Sequence, residues 1–275
     1  DLVDWSEVKL HVLSHGLHYG SCVFEGERVY DSNIFKLEEH TSRFFYSAKR
    51  MGFEIPYSES EVNSATKKIV AAQKVKNGYV RPVAWRGSEM MAISAQQTKI
   101  HVAIATWEWG SYFDPKLKLK GIKLNISAWR RPNPNSVPWD TKASGLYMIC
   151  TLSKHEAEKQ GYTDSLMLDH EGNIAEATSA NIFFKDDKDE LHTPIPDSFL
   201  DGITRKTVID LAKSKNIKIY ERKISPDELS NFKGCFITGT AAEITPVGNI
   251  LDNKFEICDL IKDLSSSYEK LVGKN

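Results

Sequence analysis

At 275 residues the chain is long enough for one large domain or two smaller ones, each with a real core. A net charge of −1 gives no reason to expect nucleic acid or an anionic membrane as the main partner. With 41% hydrophobic and 27% charged residues the make-up is that of an ordinary globular protein, and no apolar run approaches the ~20 residues of a membrane span.

The chain opens at Asp1 with neither a methionine nor a signal-peptide pattern, so further N-terminal residues are expected to precede it. Leu10–Leu13 and Cys22–Tyr30 read as short apolar segments around the turn H-G-L-H-Y-G. Residues 36–52 place Leu37, Phe44, Phe45, Ala48 and Met51 on one face of a predicted helix, with charges opposite. A second helix is predicted from Glu59 to Lys74 through Val62, Ala65, Ile69 and Val70. Three strands follow, over Tyr79–Arg86, Ile100–Trp107 and Ile122–Trp129, each rich in β-branched or aromatic residues.

R-R-P-N-P-N-S-V-P-W-D, from Arg130 to Asp140, breaks all periodicity, and its three prolines imply a stiff connection. The predicted domain boundary therefore lies just before it, giving a small α+β domain over 1–128 and a larger one over 129–275. Beyond it, Lys142–Gln160 reads as a helix, and Ser165–Asp169 and Ile174–Lys185 as strands of a hairpin. Asp201-Gly202-Ile203-Thr204 precedes an amphipathic helix ending near Lys215. Ser225-Pro226-Asp227-Glu228 is a capping box with proline at the first helical position. Cys235–Thr238 reads as a strand and Cys258–Val272 as a closing helix. Without a regular βαβ repeat, this mixture predicts an α+β fold.

Two charged residues stand out against small neighbours. Lys142, in W-D-T-K-A-S-G-L-Y, is flanked by Thr141, Ala143, Ser144 and Gly145, while Tyr147 and Met148 suggest burial. Most lysines are solvated surface groups; a desolvated one has a lowered pKa and serves as nucleophile and base. Glu176, thirty-four positions later, lies between Ala175 and Ala177. Such a carboxylate either caps a turn or accepts a proton from a buried cation, such as the nitrogen of a pyridine ring. An amine for a Schiff base and a carboxylate for a pyridinium are what pyridoxal phosphate requires of its protein.

A phosphate needs N–H donors at a helix start, hydroxyls and usually an arginine. Gly202-Ile203-Thr204 supplies the first two, Thr238-Gly239-Thr240-Ala241-Ala242 offers a second hydroxyl-bearing turn, and Arg43 stands on a helix with an apolar face. Each alone reads equally as a cap, a turn or a surface charge. Tyr19, Phe24, Arg28, Tyr79, Arg81 and Tyr147 make a candidate substrate shell in which arginine meets carboxylate and rings form an apolar socket; core packing explains any one ring as well. His15 and His18 lack carboxylate or thiol partners at ligand spacing, so no metal site is expected. No P-loop or G-x-G-x-x-G is present, which argues against ATP or dinucleotide binding. Cys22, Cys150, Cys235 and Cys258 form no C-x-x-C pair and predict reduced thiols in a cytoplasmic protein.

H-Y-G-S-C-V-F-E-G-E-R-V-Y, H-T-S-R-F, Y-V-R-P, P-W-D-T-K-A-S-G-L-Y, A-E-A-T-S-A-N-I-F-F, L-D-G-I-T-R and G-T-A-A-E-I-T-P-V occur in that order. Together they resemble the branched-chain amino-acid aminotransferases of the fold-type IV pyridoxal-phosphate enzymes. The resemblance implies two α+β domains with the cofactor at their interface, and a homodimer that lends a loop of the small domain to the neighbouring site. It implies that Lys142 binds the cofactor and moves the Cα proton, that Glu176 pairs with the pyridine nitrogen, and that Tyr147 lies near the phenolic oxygen. Arg43, Ile203 (through its N–H), Thr204 and Thr240 would hold the phosphate.

The substrate carboxylate would meet the Thr240–Ala241 turn and Tyr79. Arg81 would take the distal carboxylate of glutamate, and Tyr19, Phe24 and Tyr147 an aliphatic side chain. The expected reaction exchanges amino groups between Leu, Ile or Val and 2-oxoglutarate. A D-amino-acid transaminase or a 4-amino-4-deoxychorismate lyase would keep the same lysine and glutamate, and a non-catalytic cofactor-binding protein is the reading from another class. Two positions depart from the family pattern: Glu27 stands where an aliphatic residue is common, and Arg130-Arg131 double a usually single arginine.

Overall fold

The computed structural model describes residues 1–114 and 119–273. It forms two compact units, Asp1–Gly110 with Thr141–Tyr147, and Ser111–Asp140 with Met148–Asn275. The expected boundary at 128/129 thus falls inside the second unit, because the strand Ile122–Ile126 pairs only within that unit's sheet. Residues 141–147 belong to the first unit, whose backbone they bond.

In the first unit, α1 (His15–Tyr19) leads into β1 (Cys22–Phe24), β2 (Glu27–Tyr30) and β3 (Asn33–Ile34). Helices α2 (Leu37–Arg50) and α3 (Glu59–Ala72) follow, then β4 (Gly78–Arg86) and β5 (Ile100–Glu108). All five strands pair antiparallel around β4, which takes β5 along its whole length on one side and β1 and β2 in tandem on the other; β3 adds to β2. Helix α2 buries Leu37, His40, Thr41, Phe44, Ser47 and Ala48, the i, i+3, i+4 spacing of one helical face. Helix α3 starts at a reciprocal Ser58–Glu61 capping box. Val29, Val70, Val75 and Val80 form a core cluster here. Leu10–Leu13 is no strand: it stays exposed, with no strand pairing to it.

The second unit contains β6 (Ile122–Ile126), α4 (Met148–Lys159), β7 (Asp164–Leu168), β8 (Ile174–Ala177), β9 (Asn181–Lys185) and β10 (Leu191–Thr193). After these come α5 (Ile203–Ser214), β11 (Ile219–Glu221), β12 (Gly234–Gly239), β13 (Glu243–Ile250), β14 (Asn253–Lys254) and α6 (Asp259–Leu271). The strands order as β11-β10-β9-β12-β13-β6-β7-β8, with β14 on β13, and β8 returns to β9 through the single pair Glu176↔Asn181. Six strands, β9-β12-β13-β6-β7-β8, therefore close on themselves.

One face of this sheet gathers Ile122, Leu124, Leu166, Ile182, Phe184, Cys235, Ile237 and Val247 into a single cluster. The intervening Phe183 and Phe236 point the other way, where α5 packs on β12, and their rings stack 5.0 Å apart at 2°. The Ser225–Glu228 capping box is present, but it opens a 3-10 turn over Pro226–Asn231. Among the described residues no helix is long and apolar enough to cross a membrane.

Phe236 is fully buried, so Phe236→Ala removes a stacked ring and leaves a cavity. The expected cost is about 3–5 kcal/mol with an unchanged m-value, measured by urea unfolding.

Candidate active site

Lys142 does not stand on a helix, contrary to the sequence expectation. Its N–H donates to Ser47 Oγ at 3.1 Å, its carbonyl accepts from the Phe24 N–H at 3.1 Å, and Ala143 makes an isolated antiparallel bridge to Val23. The lysine is therefore an extended residue fixed between β1 and α2. The chain turns only afterwards, through a 3-10 turn over Ser144–Tyr147, and α4 begins at Met148.

That turn brings Tyr147 back, so that Lys142 Nζ donates to Tyr147 Oη at 2.9 Å. The amine lies 5.0 Å from the Phe24 ring centre and 5.1 Å from that of Tyr147, and the two rings meet edge-on at 4.8 Å. Burial is the largest influence pulling the Lys142 pKa below that of an ordinary lysine; Arg43 and Arg81 add to it, while Glu25 and Tyr79 oppose. A cation over two rings favours the protonated amine by about 0.5–2 kcal/mol. Burial and the two guanidinium groups act in the opposite sense and lower the pKa.

Arg43 owes its place to a fully buried carboxylate, Glu25. Arg43 Nε donates to Glu25 Oε1 at 2.7 Å and Nη2 to Oε2 at 3.0 Å. Glu25 Oε2 also accepts from His40 Nδ1 at 2.7 Å and from the Gly26 N–H at 3.2 Å. Burial alone would raise the Glu25 pKa, but Arg43 and the His40 hydrogen bond override it and hold the carboxyl far below the usual range. The same ion pair raises Arg43 against its own desolvation, and burial lowers His40. His40 is thus a neutral donor and Arg43–Glu25 the charged pair.

Of the expected substrate shell, Phe24, Tyr79, Arg81 and Tyr147 cluster with this amine. Tyr79 and Arg81, two apart on β4, share a face. The Arg81 guanidinium lies 4.6 Å over Phe24 and 5.5 Å over Tyr79, and its buried Nε has no hydrogen-bond partner. Tyr79 packs against Trp107 and Trp109, and only a glycine fits opposite its hydroxyl, since a Cβ at Gly26 would lie 1.8 Å from Oη. Arg28 instead donates Nη1 to the Gly110 carbonyl at 2.9 Å, beside Tyr30 and Trp109. Tyr19 is exposed and stacks on His15. His15 and His18 each engage a backbone carbonyl, and among the described residues no group of three metal-ligating side chains occurs.

The second unit holds the remaining residues. Glu176, on β8, has Oε1 3.4 Å from Arg131 Nε, an ion pair without hydrogen-bond alignment, and Oε2 3.3 Å from Asn181 Nδ2. The doubled arginine splits by burial. Arg131 turns inward to Glu176 and Cys150 Sγ, while Arg130 is exposed near the His170 carbonyl. Gly202 is the N-cap of α5 with no side-chain cap, and Ile203 and Thr204 in its first turn are buried, as is Thr238; Thr240 and Ala241 form the β12–β13 turn. Buried first-turn N–H groups lacking an intrahelical acceptor are an anion site in waiting.

Sequence reading missed Glu25, His40, Ser47, Arg131 and Asn181 as site residues. Only Asn181 carried a local signal: five positions after Glu176 across a short hairpin turn, it is that residue's strand partner. The others are long-range partners.

The chain matches the family Amino-transferase class IV over residues 22–250. It is 41% identical to the probable branched-chain-amino-acid aminotransferase of Rickettsia conorii, over 99% of this chain and 93% of that one. The crystal structure of a branched-chain aminotransferase from Thermoproteus uzoniensis with norvaline superposes with a TM-score of 0.94 at 35% identity, covering 100% and 93% of the two chains. A branched-chain amino acid aminotransferase from Thermobaculum terrenum, in its PLP-form, gives 0.89 at 27% identity, covering 99% and 92%.

Glu27 is buried, and neither carboxyl oxygen has a hydrogen-bond partner. Burial first, then the neighbouring Glu25 charge, raises its pKa well above the ordinary value, and Arg43 offsets this only in part. The folded state thus keeps a proton that the unfolded chain releases above about pH 4.3, so stability falls as pH rises from there. Glu27→Gln cannot release that proton. Its gain in Tm over the parent is expected to be larger at pH 8 than at pH 5 by differential scanning calorimetry.

Proposed function

The chain belongs to the class IV amino-transferase family, and from that premise we propose how its residues run the reaction. It is a pyridoxal-phosphate-dependent aminotransferase that moves amino groups between branched-chain L-amino acids and 2-oxoglutarate. The observation that carries this reading is the Lys142 amine, bonded to Tyr147 Oη at 2.9 Å and held toward its neutral form.

The residues fit the cofactor. Arg43 spends Nε and Nη2 on Glu25, which leaves Nη1 to meet a phosphate oxygen. The uncapped start of α5 offers the N–H groups of Ile203 and Thr204 to an anion, and Thr240 adds a hydroxyl. Glu176, paired with Arg131 at 3.4 Å, suits a protonated pyridine nitrogen. When bound, pyridoxal phosphate supplies the carbonyl that takes up the amino group and a ring that accepts electron density.

Everything else falls to the chain. Lys142 Nζ would take the Cα proton of the substrate and later return it. Tyr147 Oη holds that nitrogen in place between the two transfers. Phe24 and Tyr147 present apolar rings to an aliphatic side chain. Arg81, whose Nε is unpaired, binds the distal carboxylate when glutamate or 2-oxoglutarate is the partner. The Thr240–Ala241 turn receives the α-carboxylate. Arg28 supports this pocket through Gly110.

We further infer a homodimer, because residues 2–19 expose Val3, Trp5, Val8, Val12, Leu17 and Tyr19 in one short stretch. We assign the protein to the cytoplasm on its four free cysteines.

The test compares half-reactions with L-leucine, D-alanine and 4-amino-4-deoxychorismate by the absorbance of the bound cofactor. L-Leucine is expected to shift the spectrum. A shift with D-alanine alone, or turnover of aminodeoxychorismate alone, would reassign the substrate. Lys142→Ala is expected to lose the visible-edge band and nearly all turnover; a band that persists would sink the assignment of Lys142.

A further inference from the structure

We propose that Asn181 is a positioning residue that sets the ring-nitrogen carboxylate and the phosphate-binding helix start at a fixed separation. This rests on the roles given above to Glu176 and α5. Asn181 is 4% exposed and opens β9. Its Nδ2 donates to Glu176 Oε2 at 3.3 Å and to the Leu200 carbonyl at 3.0 Å, and its Oδ1 accepts the Gly202 N–H at 3.1 Å. One side chain therefore grips the carboxylate on β8, the loop before α5 and the N-cap of α5.

The backbone pair Glu176↔Asn181 also closes the six-stranded ring. A shift of Asn181 would move both anchors together. Only a primary amide meets the demand, with two N–H donors on one side and a carbonyl acceptor on the other. A carboxylate would lose both donors and face Glu176 with like charge, and an apolar residue would strand the Gly202 N–H and the Leu200 carbonyl.

Gly202 is fitted to the same contact. Its φ of −67° is open to any residue, but a Cβ there would lie 2.2 Å from Asn181 Oδ1. The glycine is thus required by the asparagine's approach rather than by its own backbone. Because Asn181 takes the Gly202 N–H, the donors left at the helix start are those of Ile203, Thr204 and Arg205. The amide selects which N–H groups face the anion.

A ligand that engages two anchors gains over its separate halves only when both can be reached at once, and that gain is lost when their spacing drifts. The experiment titrates apo-protein separately with pyridoxal phosphate, with pyridoxal and with inorganic phosphate, following intrinsic tryptophan fluorescence. Asn181→Ala is expected to weaken pyridoxal phosphate at least tenfold while pyridoxal and phosphate each change by less than about threefold. Gly202→Ala, which keeps the amide and crowds its oxygen, is expected to give the same pattern. An unchanged affinity for pyridoxal phosphate, or an equal loss for all three ligands, would overturn the proposal, the second marking a merely structural role. Failure of the parent protein to bind pyridoxal phosphate would instead overturn the functional reading beneath it.

Discussion

An amine can act as nucleophile or base only without its proton, and a lysine in water at neutral pH carries one. The first unit lowers the hold of Lys142 on that proton by two means at once. It withdraws Lys142 from water, and it sets the guanidinium groups of Arg43 and Arg81 close enough to penalise a further positive charge. The second means creates its own problem, because a buried guanidinium needs a counter-charge. Glu25 provides one, bonded by Arg43, His40 and Gly26 together. That carboxylate works against the lysine's neutrality, but burial is the largest influence and Arg43 adds to it, so the pKa is lowered on balance.

Position is settled separately from protonation. Hydrogen bonds to Ser47 Oγ and from the Phe24 N–H fix where the Lys142 backbone runs, and Tyr147 Oη fixes where its nitrogen ends. In the second unit the equivalent task falls to Arg131 and Asn181 around Glu176. Asp164 adds a further brace: it accepts the Thr178 hydroxyl at 2.6 Å, in the turn that joins Glu176 to Asn181. Burial raises the Asp164 pKa above the ordinary value, with Lys154 and the Thr178 hydrogen bond opposing.

Much of this was legible in the sequence where local chemistry decides structure. Helices α2, α3, α5 and α6 lie where 3.6-residue periodicity puts them, and β4, β5 and β12 where β-branched and aromatic runs put them, whereas the strand expected over Ile174–Lys185 is two, β8 and β9, divided by a turn. Lys142, Arg43 and Glu176 stand out by their small or apolar neighbours. The helix expected at Lys142 failed because the conformation there is set by Phe24 and by Ser47, ninety-five positions away in the chain. No local propensity encodes that. The pairing of Arg43 with Glu25 is of the same kind, and so is the inward turn of Arg131. Glu27 stood out as unusual in its motif, but strand alternation alone could not show that β2 is covered on both faces.

The neutrality of Lys142 is open to direct measurement. Apo-protein labelled with acetic anhydride across a pH series, with each site quantified by mass spectrometry, gives the titration midpoint of every lysine. The Lys142 amine should become reactive at a pH below the ordinary lysine value of about 10.4. A midpoint equal to that of the exposed lysines, or higher, would contradict the balance of Arg43, Arg81 and burial on which the site depends.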